Sequence, residues 1–119
     1  MSKINESLEQ LMSVDGALGT CIVEYKSGMI LGKSGGGVDL ELAGAGNSEV
    51  VKAKMKTMES LGIKGEIEDI LITLDKQIHI IRPATKHENL FVYLVLDKAK
   101  SNLALARRKV QQIEESLEI

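Results

Sequence analysis

The chain has 119 residues, of which 44% are hydrophobic and 27% charged, and a net charge of −2; residues 1–119 therefore read as one globular domain around a single core, with no room for a second. That charge supplies no cationic field to gather phosphates, and Tyr25, Phe91 and Tyr93 are the only aromatic side chains, too few for a base-stacking platform, so nucleic acid is not an expected partner. The longest apolar run, Leu90 to Leu96, falls far short of the ~18 residues of a membrane span, so no membrane insertion is expected.

In chain order, Ile4, Leu8, Leu11 and Met12 recur at helical spacing, and "SVDG" closes this first short helix with a glycine able to take a positive φ. The start, "MSKINESLEQ", is too polar for a signal peptide. From Ala17 to Tyr25 the β-branched Thr20, Ile22 and Val23 dominate, "KSG" follows as a turn, and "MILGKS" returns, which predicts a hairpin of the first and second strands.

Asp39 is placed to cap a second, long helix. Leu40, Ala43, Asn47, Val50, Val51, Met55, Met58 and Leu61 form its apolar stripe, and Gly62 and Gly65 end it. Three apolar runs then follow, "IEDILITL", "QIHIIRP" and "LFVYLVL", separated by "DK" and "ATKHEN"; connections this short predict an antiparallel meander, the third to fifth strands. Because "ILITL" and "LFVYLVL" are apolar on both alternating faces, helices are expected on both sides of the sheet. Ala99, Leu103, Ala106, Val110, Ile113 and Leu117 advance by four and three in turn and predict a third amphipathic helix. The expected architecture is α+β, three layers of helix, antiparallel sheet and helices.

The string Gly32-Lys33-Ser34 matches the end of a phosphate-binding loop. That loop needs four residues between its glycines and must run directly into a helix. Here Met29, Ile30 and Leu31 lie between Gly28 and Gly32, three strand-forming residues where the chain should curl, and more glycines follow Ser34. The string reads as the end of the second strand, with Gly35 to Gly37 as a flexible connection into the long helix.

No other constellation carries chemistry. His79 and His87 lack metal-ligand spacing, and Cys21 lies among strand residues, so no metal, cofactor or catalytic residue is expected. The lone cysteine is compatible with a reducing cytosol. Glu66, Glu68 and Asp69 read as a solvated strand end or a charged guard on an edge strand, and Arg107, Arg108 and Lys109 as a mixed-charge solvated face with Glu114, Glu115 and Glu118. Met55 and Met58 fit core packing and an adaptable interaction surface equally well.

The order helix, two strands, long helix, three strands, helix, with "VDGALGTCIVEYKSGMIL" as first hairpin, "LGIKGEIEDILITL" after the long helix and "IHIIRPA" before the fifth strand, resembles the roadblock/dynein light chain family, from Ile4 to Leu117. The resemblance implies a profilin-like sheet of strand order 2-1-5-4-3, with the long helix on one face and the terminal helices on the other. It also implies a homodimer through the third strand and second helix that makes one continuous sheet. An apolar third strand at a sheet edge would otherwise invite aggregation, so Ile67, Ile70, Ile72 and Leu74, with Met55 and Met58, are the expected dimer or partner interface.

The function implied is non-enzymatic: a cytoplasmic regulatory or scaffold module that binds a small Ras-like GTPase or a related complex. The alternative is a small-molecule sensor domain in which the glycine turn approaches a ligand.

Overall fold

The computed structural model describes residues 2–119. Strand β1 (Ser2–Lys3) leads into helix α1 (Ile4–Met12), followed by the hairpin β2 (Ala17–Glu24) and β3 (Met29–Gly35) and by helix α2 (Leu40–Leu61). The meander β4 (Ile70–Thr73), β5 (Gln77–Pro83) and β6 (Leu90–Asp97) comes next, then helix α3 (Leu103–Glu115) and strand β7 (Leu117–Glu118). The main sheet has five strands in the order β3-β2-β6-β5-β4, and all its pairs are antiparallel. Counting only these five strands, that is the expected order 2-1-5-4-3.

The chemistry of the turns explains the element boundaries. Gly28 turns the first hairpin at φ 79°, while the Glu24 carboxylate accepts the Lys26 and Ser27 backbone N–H groups at 2.9 and 3.0 Å. The Asp39 side chain caps α2 by accepting from Leu42 N at 3.1 Å, and Gly62 ends the helix in the left-handed region at φ 70°. Asn102 caps α3 in the same way, accepting from Leu105 N at 3.0 Å.

The central strand β6 shows why both faces had to be apolar. Val92, Leu94 and Leu96 point into a core with Leu8 and Leu11 of α1 and Ala106, Val110 and Ile113 of α3. Phe91, Tyr93 and Val95 point the other way, into a core with Leu40 and Val51 of α2. Each fully buried aliphatic side chain stabilises the fold by about 1.5–3 kcal/mol over its exposed state. The long helix thus covers one face and the terminal helices the other.

Several expectations fail in detail. Only Ile70–Thr73 of "IEDILITL" is strand, and its burial alternates, with Leu71 37% exposed, because no second layer covers that side of the edge. The third helix is shorter than its periodicity: Ala99 lies in the turn before it, and Leu117 belongs to β7, which pairs in parallel with β1 as a separate two-stranded sheet. Two residues per strand are too few for any pattern to reveal.

On α2, Val50 and Leu61 are exposed, and the inward positions include Gly44 and Ser48. A side chain at Gly44 would press on Ile30, so close packing against the hairpin selects small residues that a hydrophobic count overlooks.

The glycine segment after Ser34 is not a free hinge. The Gly36 N–H donates to Leu18 O at 2.8 Å, and a Cβ at Gly19 would collide with Gly36 O. Gly35 and Gly37 adopt φ values of 76° and 82° against the same stretch. These glycines let two backbones pass in contact.

Candidate interaction face at the β4 edge and helix α2

The strand β4 is bonded on one side only, to β5, in the register Ile70↔Ile81, Leu71↔Ile80, Ile72↔His79, Thr73↔Ile78. The turn fixes which groups are free. Leu74 N–H donates to Gln77 O at 2.8 Å, and in an antiparallel ladder hydrogen-bonded pairs alternate with unbonded ones. Ile70 and Ile72 therefore spend their backbone groups on β5, whereas those of Leu71 and Thr73 point away from the sheet. This is an unfinished edge.

Position along the chain is held from α3. Arg107 grips Asp69 with two hydrogen bonds, Nε to Oδ2 at 2.9 Å and Nη2 to Oδ1 at 3.1 Å, and Asp69 raises the guanidinium pKa further. The sequence reading of Asp69 as a solvated strand end is corrected here, since its side chain is only 10% exposed, whereas Arg107 stays on an exposed helix face while it clamps the start of β4.

The helix α2 packs chiefly over β2 and β3. Ile70, Ile72, Gln77 and His79, on the same face of the sheet nearer the β4 edge, are only half-buried. Among them runs a directional chain of hydrogen bonds. Gln77 Nε2 donates to Gly37 O at 3.2 Å, so its Oε1, 2.9 Å from His79 Nε2, must accept. The His79 proton is thereby assigned to Nε2, and Nδ1 accepts from the Tyr93 hydroxyl at 2.9 Å. Asn47 of α2 lies close enough to the Tyr93 hydroxyl to favour its ionised form.

Burial sets the protonation states. It lowers the His79 pKa from its ordinary 6.5, which keeps the ring neutral as the chain requires. It raises Tyr93 to about 12, with Asn47 opposing and Cys21 adding. Cys21 itself is pushed to about 12, mainly by burial and further by Glu41 against Lys33, which makes it a packing residue and not a nucleophile.

The six residues expected at an interface fall into two groups. Ile70 and Ile72 pack on the α2-side core from the edge strand, and Leu74 follows at the turn, 46% exposed. Met55, Met58 and Ile67 line one cavity at the C-terminal end of α2, with Met55 also touching the core. Sequence reading overlooked Gln77, His79, Tyr93 and Asn47 as a unit. The two-residue turn "DK" held the signal, since pairing Leu74 with Gln77 sets His79 opposite Ile72.

The glycine-lysine-serine string makes no phosphate cradle. Lys33 is a β3 residue opposite Cys21, and its Nζ lies 3.1 Å from Glu41 Oε1. Among the described residues, no cluster of three His, Cys, Asp or Glu side chains is arranged to hold a metal, and no helix is long and apolar enough to cross a membrane.

No family model matches the sequence, and no curated protein matches it. Solved structures do. A Roadblock/LC7 domain from Streptomyces avermitilis superposes with a TM-score of 0.82 at 12% identity, covering 97% of this chain and 94% of that one. The chain has the roadblock fold. An MglB in a tetrameric arrangement matches with a TM-score of 0.82 at 16% identity over 95% of this chain and 83% of its own. The MglB of Myxococcus xanthus matches with a TM-score of 0.73 at 16% identity over 96% of each chain. In the roadblock frame the unfinished edge is the third of the five sheet strands in chain order, the one to which the sequence assigned the interface.

Proposed function

We propose that this roadblock-fold chain is a non-enzymatic, homodimeric regulatory or scaffold module that joins through β4 and α2 and binds a small Ras-like GTPase. The observation that carries the reading is the β4 edge. Leu71 and Thr73 present unpaired backbone groups beside a half-buried strip of Ile70, Ile72 and His79, and a two-fold copy would satisfy both at once by adding its own β4 and laying its α2 over the strip. Likeness to an MglB that assembles as a tetramer supports self-association. The GTPase partner follows from the roadblock resemblance, and a protein partner rather than chemistry fits a face of aliphatic side chains and unpaired backbone groups.

Sedimentation of the native protein is expected to give a dimer mass at micromolar concentration. Ile70→Lys or Ile72→Lys should give monomers, since a buried unpaired charge costs about 3–5 kcal/mol. Tagged native protein should retain a small GTPase that the monomeric variants release. A native monomer, or dimers in both variants, would sink the interface; a dimer that retains no GTPase would sink the partner.

A further inference from the structure

At the C-terminal end of α2 an open cavity of about 710 Å³ lies between that helix, the connection to β4, the β5–β6 loop and the end of the first hairpin. Its apolar surface comes from Tyr25, Met55, Met58, Ile63, Ile67 and Pro83. Every charged side chain that lines it is acidic: Glu59 from the helix, Glu66 from the connection and Glu88 from the loop. Of the cations close by, Lys86 is turned away, its Nζ bonding Glu115 O at 3.3 Å, and Lys26 and Lys64, next in sequence to Tyr25, Ile63 and Gly65, do not line the cavity. The acidic field is felt within the site, because Glu88 and Glu24 add to burial in raising the Tyr25 pKa.

We propose that this cavity docks a basic, apolar peptide segment of a partner protein, an apolar side chain entering between the methionines while flanking Lys or Arg side chains meet the three carboxylates. Methionine and isoleucine on the floor accept irregular apolar shapes, and the acids are repulsive to phosphates, anionic lipid and acidic peptides. A peptide fits better than a small cation for two reasons. The carboxylates come from three separate elements around an apolar centre, which calls for charges spaced along a chain. The connection between Leu61 and Ile70 has neither helix nor strand, apart from one helix-ending turn, so its backbone lies open to a peptide backbone at the rim. Met55, Met58 and Ile67 also stand among the expected interface residues, so this proposal rests on a dimer that joins through Ile70 and Ile72 and leaves the cavity at this end of α2 open.

The test is fluorescence anisotropy with a labelled peptide of repeating Leu-Lys-Arg-Leu, beside the same peptide with Glu for Lys and Arg, and with Ser for Leu. The native protein is expected to bind only the first, more weakly as salt rises. The double reversal Glu66→Lys/Glu88→Lys, at two exposed positions, should weaken it at least tenfold. Ile72→Lys should bind it as the native protein does. No binding, equal binding by the charge-reversed protein, or equal binding of the serine peptide overturns the proposal. Loss of binding in Ile72→Lys also overturns it, because the cavity would then belong to the contact between copies.

Discussion

The two edges of the sheet are built on opposite plans. At β3 the ladder with β2 slips between Ile22 and Val23, leaving Leu31 as an extra residue, and such a bulge twists an edge away from new partners. Lys33 adds a charge there, held by Glu41, and α1 packs so close that a Cβ on Gly32 would strike Ile4 and Leu8. At β4 there is no slip in register, the four strand residues Ile70–Thr73 carry no charge, and the side turned toward α3 leaves Leu71 37% exposed. One edge is closed by its own chain, and the other is left to be closed by something else.

The largest effect should come from the buried ion pair that ties α3 to β5 inside the protomer, next to the Asp69–Arg107 clamp. Glu114 is fully buried; its Oε1 accepts from Arg82 Nε at 2.7 Å, and its Oε2 accepts from Thr85 N and Oγ1 at 3.1 and 3.0 Å. Glu114→Ala strands the Arg82 charge and is expected to cost about 3–5 kcal/mol in urea unfolding, with the association mode unchanged at concentrations where the protomer is folded. A smaller loss would mean that Arg82 finds another partner.

At the closed edge, Gly32→Val should cost about 1–3 kcal/mol by overpacking against Ile4 and Leu8 and leave the dimer constant as it was. At the open edge the expected pattern is inverted. Thr73→Pro removes an N–H that points away from β5, so the protomer should unfold within about 1 kcal/mol of native, while self-association weakens at least tenfold through hydrogen bonds lost in both copies. If both substitutions act on the protomer alone, the contrast between the edges has no functional meaning.

The smallest effect concerns pH. His79 has a lowered pKa in the fold, so the unfolded chain takes up its proton first as pH falls. Its contribution is present above the ordinary value of 6.5 and is lost as pH falls through the folded value. Unfolding free energy should therefore decline below about pH 6.5, and His79→Gln should flatten that decline. A slope unchanged in the variant would assign the titration to other groups.

The closed edge was partly legible and the open edge more so. Gly28, Asp39 and Gly62 announced their turns and caps because each acts on its own neighbours in the chain, and an apolar "ILIT" after a long helix marked the strand. The bulge at Leu31 was not legible, since it exists only against Ile22 and Val23. Nor was the Asp69–Arg107 clamp, whose partners stand far apart in sequence: read locally, each is a charge in a polar stretch.

What the sequence by itself determined is the three helices, the five strands of the main sheet and the need for cover on both its faces, because helical and strand periodicity, caps and glycine turns act over a few residues and β6 is apolar on both sides. Only the tertiary structure decided the rest. It turned Gly35 to Gly37 from a hinge into a backbone crossing, and it shifted α2 over β2 and β3 so that Ile72 and His79 stay half-open. It also gathered Glu59, Glu66 and Glu88 around Met55 and Met58. Those outcomes depend on distances between segments remote in sequence, and close packing of backbone against backbone sets them.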